Sequence, residues 1–120
     1  MCGSEQRSYI FDVPRAERIA RLNDALRKDG IGGRIVLTQG VRSLAGYDLA
    51  TLRAALQSYD GFDVDNDPHG ERDFSDLEQC GAELLWKIDY FDSTLTWGSP
   101  DPADAAGTER VLTVMLAEEY

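Results

Sequence analysis

Six carboxylates fall within one stretch of fourteen residues, Asp63-Val64-Asp65-Asn66-Asp67-Pro68-His69-Gly70-Glu71-Arg72-Asp73-Phe74-Ser75-Asp76. They are Asp63, Asp65, Asp67, Glu71, Asp73 and Asp76. Hard cations are held by oxygen ligands at alternate positions around a glycine that permits a sharp turn. Counted from Asp65, carboxylates stand at positions 1 and 3, Gly70 at 6, Asp73 at 9 and Asp76 at 12. The pattern departs from a calcium-binding loop at position 5, which is His69, and at position 12, which lacks the longer Glu. One reading of the stretch is therefore a divalent-metal module or metal-dependent hydrolase. It would hold calcium or magnesium on Asp65, Asp67, Asp73 and Asp76. The other reading is conformational. Asp67-Pro68-His69-Gly70 has the residues of a type I turn, and Asp and Asn side chains bond their own backbone in such loops. Glu71 and Asp73 are not turn formers, and like charges at close range repel by about 1 kcal/mol even at high dielectric. Arginines of the fold, Arg72 itself or Arg34 and Arg42 from the first half, are expected to offset Glu71, Asp73 and Asp76.

Other reactive groups are sparse. His69 is the only histidine, so no Ser or Cys has a second imidazole to act as its base. Glu83 and Lys87 miss the Glu-x-Lys spacing of a metal nuclease, because Leu85 stands where the Glu is needed. Gly30-Ile31-Gly32-Gly33-Arg34 follows a helix and precedes a strand, the reverse of a phosphate-cradling loop, and reads as a helix cap and turn. Cys2 and Cys80 make neither a disulfide framework nor a zinc knuckle. No catalytic residue is assigned, and no cofactor is called for outside the metal reading.

The net charge of −10 is unevenly spread. Residues 1–58 carry nine Lys/Arg and six Asp/Glu, a net of +3; residues 59–120 carry three and sixteen, a net of −13. A field of that sign repels nucleic acid and anionic membranes and attracts basic protein surfaces. No apolar run approaches the roughly 20 residues that span a bilayer. Met1 to Arg7 has no apolar stretch after a basic start and does not read as a signal peptide. A cytoplasmic protein is expected.

The elements that must position these groups follow from periodicity. Residues 1–8 read as a disordered lead and 9–120 as one domain. A helix opens at Asp12-Val13-Pro14, with Ile19, Leu22 and Leu26 as its apolar stripe and Gly30 as its C-cap. Arg34 to Thr38 reads as a strand. Asp48 caps a second helix with the stripe Leu49, Leu52, Leu56 and Tyr59. After the acidic stretch come a strand near Phe74 to Gln79, an alternating strand at Leu84 to Phe91, and a strand at Thr94 to Trp97 across a turn at Asp92-Ser93. Ser99-Pro100-Asp101-Pro102 is read as opening a last helix with the stripe Val111, Leu112, Met115 and Leu116. The predicted class is α+β in the order α-β-α-β-β-β-α, with three helices on one face of a mainly antiparallel sheet of about four strands. Trp86, Ile88, Tyr90, Leu95 and Trp97 are predicted to share one buried face.

Several strings carry a family likeness: Arg21-Leu22-Asn23-Asp24-Ala25-Leu26-Arg27, Asp65-Asn66-Asp67-Pro68-His69-Gly70-Glu71, Trp86-Lys87-Ile88-Asp89-Tyr90, Gly98-Ser99-Pro100-Asp101-Pro102 and the C-terminal Met115-Leu116-Ala117-Glu118-Glu119-Tyr120. From Ala16 to Tyr120 the chain resembles a bacterial domain-of-unknown-function family, number 3768. That resemblance implies an accessory protein of mobile DNA, and it brings no catalytic residues with it. The family has an aromatic residue where His69 stands. Likeness and charge together lead to the expectation of a non-enzymatic acidic protein that acts as an anti-CRISPR-like or antirestriction-like inhibitor. It would dock on the nucleic-acid-binding surface of a basic host protein, a nuclease or CRISPR interference complex, without touching nucleic acid or membrane itself. Its contact residues would be Asp60, Asp63, Asp65, Asp67, Glu71, Asp73, Asp76, Asp89 and Asp92.

Overall fold

Pro14 has no N–H to lose at a helix start, and in the computed structural model, which describes residues 13–120, it immediately precedes helix α1 (Arg15–Asp29). The proposed lead, residues 1–8, lies outside the described residues. Gly30, in the left-handed region at φ 70°, ends α1. Its N–H donates to the Leu26 carbonyl and that of Ile31 to the Ala25 carbonyl, so the last carbonyls of the helix are satisfied. Strand β1 (Gly33–Leu37) follows, then a single-turn helix α2 (Gln39–Arg42), capped by the Thr38 hydroxyl, which the sequence reading did not foresee. Helix α3 (Leu49–Ser58) begins where the Asp48 carboxylate accepts from the Thr51 N–H at 3.0 Å and its hydroxyl at 2.6 Å.

Strands β2 (Phe74–Gln79) and β3 (Ala82–Phe91) form an antiparallel hairpin closed by Cys80-Gly81. Both turn residues have positive φ, 56° and 71°, the twist a two-residue hairpin needs. Strand β4 (Glu109–Leu116) completes a sheet ordered β1-β4-β3-β2, in which only the β1–β4 pair is parallel. The architecture is α+β, a mixed and mostly antiparallel four-stranded sheet with the helices on one face. β1 approaches β4 so closely that a side chain at Gly33 would put its Cβ 2.4 Å from the Arg110 carbonyl oxygen.

The second half of the chain corrects two expectations. Thr94 to Trp97 is not a strand. The Asp92 carboxylate accepts from the Thr94 N–H (3.1 Å) and hydroxyl (2.7 Å), and the segment folds back as a loop with a single bridge between Phe91 and Gly98. Leu95 and Trp97 accordingly lie exposed, Trp97 by 72%, and do not join the buried face. Val111, Leu112, Met115 and Leu116 do not line a helix. They belong to β4, a central strand, whose Val114 and Met115 are both buried although they point to opposite faces. A strand covered on both faces reads as a continuous apolar run, which periodicity alone does not separate from a helix. Ser99 to Thr108 is a loop, pinned by the Ser99–Thr108 hydroxyl pair at 2.7 Å and by the Thr108 hydroxyl donating to the Asp101 carbonyl.

The core lies between the sheet and helices α1 and α3. Trp86, Ile88 and Leu84 of β3 face it beside Leu112 and Val114 of β4, under Leu26, Leu52 and Leu56. Tyr90, half-buried, continues the β3 face. Trp86 has no exposed surface and meets Tyr59 and Phe62 edge to face, with centroids 6.1 and 5.9 Å away. Among the described residues no helix is long and apolar enough to cross a membrane. Trp86→Ala empties the centre of this core and is expected to cost about 3–5 kcal/mol, read as a lower denaturant midpoint. A midpoint equal to the parent's would show that the β3 face is misplaced.

Candidate functional site

The face of α1 that meets the sheet is not wholly apolar. Asn23 and Arg27 lie buried on it, separated by one helical turn, with Ile19 and Leu26. Arg27 donates to the carbonyls of Leu56 and Tyr59, both at 2.9 Å, and so closes the C-terminal end of α3, where a cation is favoured. Its guanidinium lies over the rings of Phe62 and Trp86 at 5.4 and 5.6 Å and pairs with Asp24 at 3.1 Å. Asn23 accepts from Nε of Arg110 at 2.9 Å and donates to the Glu71 carbonyl (2.9 Å) and the Tyr90 hydroxyl (2.8 Å). Arg110, 1% exposed, also donates to the Pro102 carbonyl and lies over the Tyr90 ring.

Tyr90 carries this network into the acidic stretch. Its hydroxyl lies 3.1 Å from Oε1 of Glu71 and 3.3 Å from Oδ2 of Asp73. A phenol has one proton and donates to one carboxylate at a time. The two carboxylates therefore repel across a shared donor. Burial first, and Glu71 second, push the Asp73 carboxyl above the ordinary Asp value; burial likewise pushes the Tyr90 hydroxyl upward. Among the described residues no arginine performs the expected neutralisation. The Arg72 guanidinium turns away from its neighbours to Asp24 (2.9 Å) and Glu17 (3.3 Å) of α1. Arg72 adopts this course at φ 53°, an uncommon backbone for a residue with a side chain, while the Asp67 carboxylate accepts its N–H.

The rest of the acidic loop is locally self-bonded. Asp67 to Gly70 forms the expected turn, with the Gly70 N–H donating to the Asp67 carbonyl at 3.1 Å. Asp63 accepts from the N–H groups of Asp65 and Asn66. Asp60, Asp63, Asp65 and His69 are exposed. Asp76 projects from β2, Asp89 pairs with Lys87 at 2.9 Å, and Asp92 holds its own turn. Asp65, Asp67, Asp73 and Asp76 are not brought together: among the described residues no three His, Cys, Asp or Glu side chains meet around a point that could hold a metal ion.

A second acidic surface comes from strand register. The face of the sheet away from α1 and α3, where Tyr120 packs on Phe74 at 5.8 Å, carries Asp76 and Glu78 of β2 and Glu83, Lys87 and Asp89 of β3. Glu78 stands directly opposite Glu83, an arrangement of like charges that weakens a sheet. Asp76, Glu78 and Glu83 line one shallow depression beside Leu77, and none of the three forms an ion pair among the described residues. Of these three, the contact set expected from the sequence contains Asp76 but neither Glu78 nor Glu83, and Glu83 is weighed there only against a metal-nuclease spacing. The alternation in the two hairpin strands, carried across Cys80-Gly81, was the signal that could have found them.

The pattern of a family described as a protein of unknown function (DUF3768) matches residues 37–119, which span α2, α3, the acidic loop and strands β2 to β4. The chain belongs to the DUF3768 family. No curated protein and no solved structure matches it. In this DUF3768 chain, α1, which supplies Glu17, Asn23, Asp24 and Arg27, precedes the matched span, while Tyr90, Arg110 and the whole acidic stretch from Asp63 to Asp76 fall within it.

Because the folded state raises the Asp73 pKa, the charged carboxylate weakens the fold. The contribution of Asp73 is most favourable below its unfolded pKa and is lost as pH rises through the folded one. Asp73→Asn is therefore expected to melt higher than the parent at neutral pH. The gap should close as pH falls toward about 3.9, the ordinary Asp value. A variant that melts lower at pH 7 would contradict the inward placement of Asp73.

Proposed function

We propose that this chain is a non-enzymatic acidic binding protein of mobile DNA. It docks on the basic, nucleic-acid-binding surface of a host defence protein, in the manner of an anti-CRISPR or antirestriction inhibitor. The observation that carries the reading is the Glu78–Glu83 pair on the face away from α1 and α3, with Asp76 beside it. Directly opposed carboxylates without a cation work against the hairpin that bears them, and a basic partner surface is what would offset them. Within the proposed contact set, Asp60, Asp63, Asp65 and Asp76 are the exposed carboxylates. Glu71 and Asp73 are committed to Tyr90 and contribute less. The mobile-DNA setting comes from the family resemblance, and the strongly acidic second half supplies attraction to a basic partner that weakens as salt rises.

Affinity capture from bacterial lysate at low salt tests the reading, with the parent chain beside a variant carrying Asp76→Lys, Glu78→Lys and Glu83→Lys. All three positions are exposed, so the changes spare the core. The parent is expected to retain a nucleic-acid-binding protein that rising salt releases and duplex DNA displaces, and the variant to retain none. Retention that is indifferent to salt, or equal in parent and variant, would contradict the proposal.

A further inference from the structure

Among the described residues β1 is an edge strand, paired with β4 on one side only. The Thr38 N–H, just past its end, donates to the Val114 carbonyl at 3.1 Å. In a parallel ladder, alternate residues turn both backbone groups toward the partner strand. Arg34 and Val36 therefore face β4, and Ile35 and Leu37 point their N–H and C=O groups outward. Among the described residues no hydrogen bond reaches those groups. Edge strands are usually blunted by charge, proline or a bulge, whereas here Ile35 and Val36 stand exposed by 38% and 44%.

Beside this edge lies an apolar groove of about 390 Å³ between β1 and α3. Ile35, Leu37, Leu49, Leu52 and Leu56 line it, and Arg53 stands among them. Leu49 is 56% exposed at its mouth, although it begins the stripe of α3. The charge around the edge is opposite to that of the whole molecule. Lys28, Arg34, Arg42 and Arg53 form no ion pair among the described residues, whereas Arg15, Arg21, Arg27, Arg72 and Lys87 all do. Asp29 and Asp48 stand near the unpaired cations in sequence, Asp48 tied to Thr51 as a helix cap, and Glu119 accepts from the Thr38 hydroxyl just past β1 at 2.8 Å and from the Leu116 N–H at 2.7 Å. At physiological salt, charges more than about 8 Å away are largely screened. An incoming segment thus meets these local cations rather than the net −10 of the chain.

We infer that the β1 edge receives an extended acidic peptide segment of a partner protein as a fifth strand. The free groups of Ile35 and Leu37 pair with its backbone. Its apolar side chains, at alternate positions, enter the groove that Arg53 flanks, and its Asp or Glu residues, on the other face, meet Arg34. This contact lies at the opposite edge of the sheet from β2 and is separate from the acidic face proposed above.

The experiment is selection of a random dodecapeptide display library on the purified full chain, followed by synthesis of the enriched peptides. Peptides alternating apolar residues with Asp or Glu are expected. They should slow hydrogen exchange at the Ile35 and Leu37 amides, and Leu49→Glu and Arg34→Glu, both at exposed positions, should weaken their binding by roughly tenfold or more. No enrichment, enrichment of Lys/Arg-rich peptides, or binding untouched by both substitutions would overturn the inference. Sedimentation of the unliganded chain as a dimer that Leu49→Glu splits would also overturn it, since the edge would then belong to a second copy.

Discussion

A guanidinium buried without a carboxylate at ion-pair distance must find its whole hydrogen-bonding shell among neutral protein groups. Among the described residues Arg110 is in that position, at the start of β4 under α1. It is met by the Asn23 amide, the Pro102 carbonyl and the face of the Tyr90 ring. These contacts fix three things together. They set where α1 crosses the sheet, where the loop between β3 and β4 returns, and how Tyr90 presents its hydroxyl. Asn23 spends its amide protons on that hydroxyl and on the Glu71 carbonyl, so the end of the acidic loop is held by the same network. Arg27, a helical turn further along α1, acts in the same way, holding the end of α3 while covering Trp86.

The charge layout follows from this arrangement. Glu71 and Asp73 turn inward to Tyr90, at the cost of repulsion between them. Arg72, between them in sequence, is sent to α1, where it binds the loop to Asp24 and Glu17. The carboxylates beyond them, from Asp76 onward in the β2–β3 hairpin, are left on the face away from α1 and α3. The strong acidity of the second half is thus divided between a structural group and an outward one. The two edges of the sheet differ as well, acidic beside β2 and basic with apolar side chains along β1.

Much of the fold was legible in the sequence, for identifiable reasons. Pro14 and Gly30 bracket α1, Asp48 caps α3, and β3 alternates cleanly enough to place Trp86 and Ile88 in the core. β4 was not legible, because burial on both faces erased its alternation and left a run that also fits a helical stripe. Thr94 to Trp97 has the composition of a strand, but Asp92 holds the chain back with its side chain, an interaction that periodicity does not register. The polar layer was invisible for a related reason. Asn23 and Arg27 fall on the buried side of α1, and a reading that equates polar with exposed assigns them to solvent. The acidic stretch could be recognised as a turn at Asp67, but which carboxylates face inward depends on Tyr90, seventeen residues beyond Asp73.

The division of carboxylates is the centre of this account, and Asp73 is where it can be measured most directly. A pH titration of the Asp73 side-chain carboxyl carbon by nuclear magnetic resonance reports its protonation residue by residue. The account predicts a midpoint above the ordinary Asp value of about 3.9. It also predicts that Glu71→Gln lowers that midpoint, because the second carboxylate at the Tyr90 hydroxyl is then neutral. A midpoint at or below the ordinary value, unmoved by Glu71→Gln, would contradict it.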